Sequence, residues 1–336
     1  MAQFDVFAVG NALVDLDYEV TDEFLAAQGV EKGVMTLLEK DVQQKLVNGL
    51  NNEYTIKKRA GGGSAANSMV TTAQFGGKAF YCCKVGNDEL GKFYLADLNK
   101  AGVEHRLSQQ NTPGDTGQCV VMVSDDAERT MCTFLGITTD FSTNELHEDL
   151  LKDSTYLYIE GHLVYSPEAV KAILRAKQVA RENGVKIALT FSDPAVVKYA
   201  REHLEQVIGE DGVDLLFCNQ DEVRDFSQTN DAEAGIAMLL KHTKRLVMTC
   251  GSQGAKIIDD SQRIDISPYK VKAVDTTGAG DTFAGAFLYG ITNGMDLKQA
   301  GQLASRSAAE CVAIFGPRLE TDVQLKILQE FTTVNS

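Results

Sequence analysis

The sequence predicts an α/β fold of three layers, with a central, mostly parallel sheet and a small β-strand lid. Two observations carry that expectation. After residue 150, short apolar runs rich in β-branched residues alternate with helical patterns, and such alternation gives a parallel sheet with right-handed crossovers and helices on both faces. Before residue 140 the pattern is less regular and contains a hairpin, which suits a small β layer inserted into the main domain. With 336 residues, 44% of them hydrophobic, the chain can bury one large core. A single domain over 1–336 is expected, with lid strands inserted at 12–37 and 116–136.

Taken in order, LDYEV (16–20) reads as a short strand, and GQCVVMVSDD (117–126) with RTMCTFLG (129–136) as a hairpin about Asp125-Asp126-Ala127-Glu128. STYLYIEG (154–161) is a buried strand. Ser166 then caps a helix with Pro167 at its first position, Val170, Ile173, Leu174 and Ala180 share one face, and Gly184 closes it. The pattern repeats through KIALTFS (186–192), DLLFCN (214–219) and RLVMTCG (245–251), each followed by a helix or a glycine turn.

A formal charge of −15 argues against sequence-independent nucleic-acid binding, which needs Lys and Arg against the phosphates. A small anion would have to be held by local backbone N–H groups, a helix N-terminus or a metal. No apolar run approaches a membrane span, and MAQFDVFAVG lacks a basic leader, so a cytoplasmic protein is expected. Seven cysteines without a C-x-x-C pair predict reduced, mostly buried thiols.

The stretch DTTGAGDTFAGAFLYG (275–290) joins a glycine loop to a helix beginning near Gly280. The N–H groups of Gly278, Ala279 and Gly280 would favour an anion there. Asp281 at its mouth could accept a proton from a hydroxyl attacking a phosphoryl group, or could simply cap a tightly packed helix. GNDELGKF (86–93) imitates a phosphate loop but has Phe93 where a hydroxyl must bind magnesium. Gly61, Gly63 and Ala66 imitate a dinucleotide fingerprint, but the preceding IKKRA is a poor strand. AGGGSAANS (60–68) with Gly62, Gly63 and Asn67, and GNALVD (10–15) with Asn11 and Asp15, suit a vicinal diol or, equally, polar-capped turns. Asn219 and Glu222 fit either a water-mediated magnesium site or a capping box. The strand-end turn Thr249 to Gly254 is useful for a nucleotide and common in hairpins.

In order, AGGGSAAN, VGNDELG, N-x-x-E, TCGSQG and DTTGAGDTFAGAF resemble the motifs of the ribokinase-like (PfkB) family of carbohydrate and nucleoside kinases, over essentially the whole chain. The resemblance implies an ATP-dependent phosphotransferase with an alcohol acceptor. Asp281 would be its base, residues 278–280 its anion hole, and Asn219 and Glu222 would support magnesium and phosphate. Thr249, Gly251 and Gly254 would line the ATP site, with Asp275, Thr277 and Gly316 in a monovalent-cation loop for potassium. GNALVDLDYEVTDEFL, GHLVYSPEAV and ALTFSDPAV look most like the adenosine kinase branch. That implies a ribose held by Asn11, Asp15, Gly62, Gly63 and Asn67, Arg129 closing from the lid, and a small-molecule nucleoside as substrate. Where that branch stacks the purine between phenylalanines, this chain has His162 or Leu163 and Ala195, with Met35 at a base contact; Phe134, Tyr165 or Phe191 are the other stacking candidates. A kinase for free ribose or fructose, and a non-catalytic nucleotide-binding regulator, are the alternatives. The lid would serve either a monomer or a homodimer.

Overall fold

The computed structural model describes residues 2–107, 112–126 and 128–335. Ala127 of the expected hairpin turn lies outside them. In chain order the strands are β1 (Phe4–Val9), β2 (Leu13–Glu19), β3 (Met35–Leu37), β4 (Lys58–Gly62), β5 (Ala79–Cys82), β6 (Gly117–Val123) and β7 (Arg129–Phe134). They continue as β8 (Ser154–Glu160), β9 (Lys186–Thr190), β10 (Leu215–Asn219), β11 (Arg245–Thr249), β12 (Ala255–Asp259) and β13 (Arg263–Ile266). The larger sheet runs β13-β12-β11-β10-β9-β8-β1-β5, parallel from β11 to β5, with β12 and β13 antiparallel at one edge.

The middle strands are apolar on both faces because helices cover both. Along β1, Val6 and Ala8 enter one core and Phe7 and Val9 the other; along β8, Tyr156 and Tyr158 oppose Leu157 and Ile159 in the same way. The Pro167–Glu182 helix starts as expected, with the Ser166 hydroxyl accepting the Ala169 N–H. All seven cysteines are buried and unpaired. No helix of the described residues is long and apolar enough to cross a membrane.

The smaller sheet has the order β3-β7-β6-β2-β4. It corrects one expectation: the segment read as a poor strand forms β4, antiparallel to β2. Its charges are tolerated because β4 is an edge, where Lys and Arg also discourage stray pairing. Arg59 lies over the Phe93 ring and Lys58 reaches back into the protein. The false phosphate loop is a helix start, since Asp88 accepts from the Gly91 N–H and from Thr116.

Behind the sheet, helices Ser64–Gln74 and Ala279–Thr292 pack closely. Their approach is permitted by Gly285: a methyl group there would collide with the Ser68 carbonyl oxygen. The Ser68 hydroxyl donates to the Asp281 carbonyl at 3.0 Å and Thr72 to the Gly285 carbonyl at 3.0 Å. The small residues after Asp281 therefore serve packing, as the plainer reading of that stretch held. Gly285→Ala should lower unfolding free energy by about 1–3 kcal/mol, the usual cost of overpacking. The midpoint of urea denaturation, at unchanged slope, checks this.

Candidate active site

The helix carrying Asp281 begins at Ala279, with Gly278 as its N-cap at φ 71°. That left-handed conformation, and a Pro317 backbone too close for any side chain, account for glycine at this position. Asp281 falls in the first turn, where the helix dipole favours negative charge. Its Oδ1 accepts from the Ser64 hydroxyl at 2.6 Å and its Oδ2 from Asn67 Nδ2 at 2.9 Å. Burial nonetheless raises its pKa above the usual carboxylate range, outweighing those two hydrogen bonds and the pull of Arg129 and Arg318.

Two cavities meet at this turn. One, of about 450 Å³, lies between the sheets, and its lining includes Asn11, Asp15, Gly63, Glu160 and Asp281. Met35, Leu37, Val121 and Met131 from the smaller sheet line it too, with His162 and Tyr165. The second, of about 690 Å³, is mostly apolar: Gly251, Gly254, Val271, Phe283, Ala308 and Val312 line it. Thr249, Thr276 and Gly280 line both. Any group passing from one cavity to the other passes the 276–281 loop.

Several expected site residues are placed otherwise. Asn67 does not line the first cavity: its Nδ2 holds Asp281 and its Oδ1 accepts from Arg318 Nε at 2.8 Å. Gly62 is also off the lining, pressed against the Asp15 carboxylate. Phe134 is on the wrong face, because Met131 and Thr133 of β7 point into the cavity and residues alternate along a strand. Leu163 and Phe191 are core residues, the latter stacked on Phe226. Ala195 gives way to its neighbours Asp193 and Pro194 on the lining, while His162, Tyr165 and Met35 do line the cavity.

Asn219 and Glu222 form the capping box: the Asn219 N–H donates to Glu222 at 2.7 Å and the Glu222 N–H to Asn219 Oδ1 at 2.8 Å. Asn219 still borders the first cavity, whereas Glu222 is buried behind it with its pKa pushed up to about 8 by desolvation. Asp275 Oδ1 accepts from the Thr277 N–H and hydroxyl, and its Oδ2 from the Gly316 N–H at 2.9 Å. Arg129, from β7, lines the first cavity and donates to the Thr277 hydroxyl at 2.7 Å.

Sequence reasoning missed Glu160, Ser64 and Arg318. Glu160 ends β8 and is 1% exposed; its Oε2 accepts the Ala65 N–H at 2.8 Å, and its pKa is pushed up to about 8, chiefly by desolvation. An acid at the carboxyl end of a buried parallel strand was the signal, since open α/β sheets bind ligands there.

A helix N-terminus and a carboxylate where two cavities meet are the equipment of a phosphotransferase whose acceptor is a hydroxyl. The model of pfkB family carbohydrate kinases matches residues 36–322, and the chain belongs to that family. It is 29% identical to an adenosine kinase of Saccharomyces cerevisiae over 330 residues, covering 92% of this chain and 95% of the yeast protein. Among solved structures, a probable sugar kinase from Rhizobium etli superposes with a TM-score of 0.91 at 31% identity, covering 98% of this chain and 99% of that one. An adenosine kinase from Sinorhizobium meliloti gives 0.90 at 30%, with the same coverage.

Because Glu160 keeps a proton in the folded state that the unfolded chain gives up, its contribution to stability falls as pH rises from the ordinary carboxylate range to about 8. In Glu160→Gln that part of the slope disappears. Unfolding free energies measured across that window should decline less steeply for the variant than for the parent; parallel curves would contradict the assignment.

Proposed function

We propose that this kinase transfers the γ-phosphoryl group of ATP to the 5′-hydroxyl of a ribonucleoside, adenosine foremost. The observation that carries this is the mixed polar and apolar lining of the first cavity. Asn11, Asp15 and Glu160 offer acceptors and a carboxamide for ribose hydroxyls, while Met35, Met131, His162 and Tyr165 add apolar and aromatic surface suited to a heterocyclic base. Burial pushes the His162 pKa down, which favours a neutral ring beside a heterocyclic base.

In this reading Asp281 takes the proton of the attacking hydroxyl as the new O–P bond forms and the bond from Pγ to the ADP oxygen breaks. The N–H groups at Gly278, Ala279 and Gly280 meet the charge on the transferring group. Thr249, Gly251 and Gly254 border the nucleotide cavity, and Arg129 closes over Thr277 from the smaller sheet. Among the described residues no group of three or more His, Cys, Asp or Glu could hold a metal. Magnesium would arrive on the phosphates with most of its waters, meeting the cavity border at Asn219, which Glu222 holds in place through the capping box. Its chemistry would be charge neutralisation.

A sugar kinase is the second reading, favoured by the buried acids that suit any polyol. ADP release with Mg-ATP against adenosine, inosine, guanosine, cytidine, ribose and fructose separates the two. A higher kcat/KM for ribose or fructose than for every nucleoside would overturn the first. Asp281→Asn should lower kcat on the order of 100- to 10,000-fold, the usual share of positioned base catalysis. Calorimetry should find its nucleotide affinity unchanged.

A further inference from the structure

The cation loop implied by the family does not fit a free ion here. A monovalent cation in a protein needs several oxygens in place of its water shell. Around Gly316 several of the candidate oxygens are already engaged by the protein. Asp275 accepts three hydrogen bonds, from the Thr277 N–H and hydroxyl and the Gly316 N–H. The Val312 carbonyl accepts the N–H groups of Val274 and Asp275. Most tellingly, Lys58 Nζ donates to the carbonyls of Phe315 and Arg318, both at 3.1 Å, on either side of Gly316.

Lys58 arrives from the edge strand β4, where it pairs with Asp17 of β2. Asp17 is 2% exposed and Asp275 1%, and Lys58 and Arg129 are the cations whose fields reach Asp17. Two buried carboxyls thus face two tethered cations. One oxygen, Oδ2 of Asp17, has no hydrogen-bond partner among the described residues.

We infer that the Lys58 ammonium does the work of a monovalent cation. It binds the 315–318 turn, whose Gly316 N–H holds Asp275, so that the 278–280 N–H groups face the phosphoryl group without added potassium. This rests on the reading of that loop as the anion hole. Lys58 is a positioning residue: it reaches the reacting atoms through Asp275 and Thr277.

The test compares KCl with choline chloride at about 0.1 M, matched for screening. The parent protein should show the same kcat and the same Tm in both. Lys58→Met should lose activity in choline chloride on the order of 100-fold, the cost of a displacement near 1 Å. It should regain much of that in KCl, where its Tm should also rise, because an ion that binds only the folded state stabilises it. A merely structural lysine would leave a variant that KCl does not rescue, which would overturn the proposal. Potassium activation of the parent, or saturable thallium(I) binding to it by 205Tl NMR, would also overturn it and would direct attention to Asp17. The parent measurements decide even if Lys58→Met does not fold. Silence with every acceptor would count against the proposed substrate, while the Tm and thallium comparisons would still judge the lysine.

Discussion

The Asp281 carboxylate sits at a cavity wall where burial raises its pKa, and much of the surrounding structure answers that constraint. A buried acid without partners would sit protonated and unable to act as a base. Ser64 and Asn67 meet its two oxygens. Asn67 is held in turn by Arg318, which pairs with Asp97, and Asp97 accepts the Gly61 N–H. This series joins the smaller sheet, the Glu89–Lys100 helix and the C-terminal turn to one carboxylate. Closely packed helices are a requirement of it, because Ser64 and Asn67 must come within hydrogen-bond reach of a neighbouring helix.

The same cavity gathers Asp15, Glu160 and Asp281, all raised by burial, in a chain of net charge −15. The overall field therefore repels a phosphate. Attraction has to come from groups at very short range: backbone N–H groups at a helix start and the guanidinium of Arg129. Acids grouped beside such a loop suit a substrate that brings several hydroxyl donors and an anion that brings its own counter-ion.

Much of this arrangement was legible in the sequence. The alternation of strand and helix fixed the larger sheet, and the order Gly-Ala-Gly-Asp marked the turn at which the cavities meet. What could not be read depended on parity and on distance along the chain. Phe134 was misplaced because neighbouring strand positions face opposite ways, so an offset of one residue removes a side chain from a site. Asn67 was assigned to a sugar because its partner, Asp281, is 214 residues away. Lys58 and Arg59 hid β4, since charge argues against a strand everywhere except at an edge. Asn219 and Glu222 supported two readings, and the geometry realises the cap.

Between the last residue of β4 and the first residue of the Ser64–Gln74 helix stands Gly63 alone, at φ 98°. The smaller sheet and the helix that orients Asp281 are thus consecutive parts of one chain, joined by a single articulated link. The angle between β4 and that helix is therefore set at Gly63, next to the Ser64 hydroxyl that donates to Asp281. The set of the smaller sheet and the partners of the carboxylate are in this way governed by one residue.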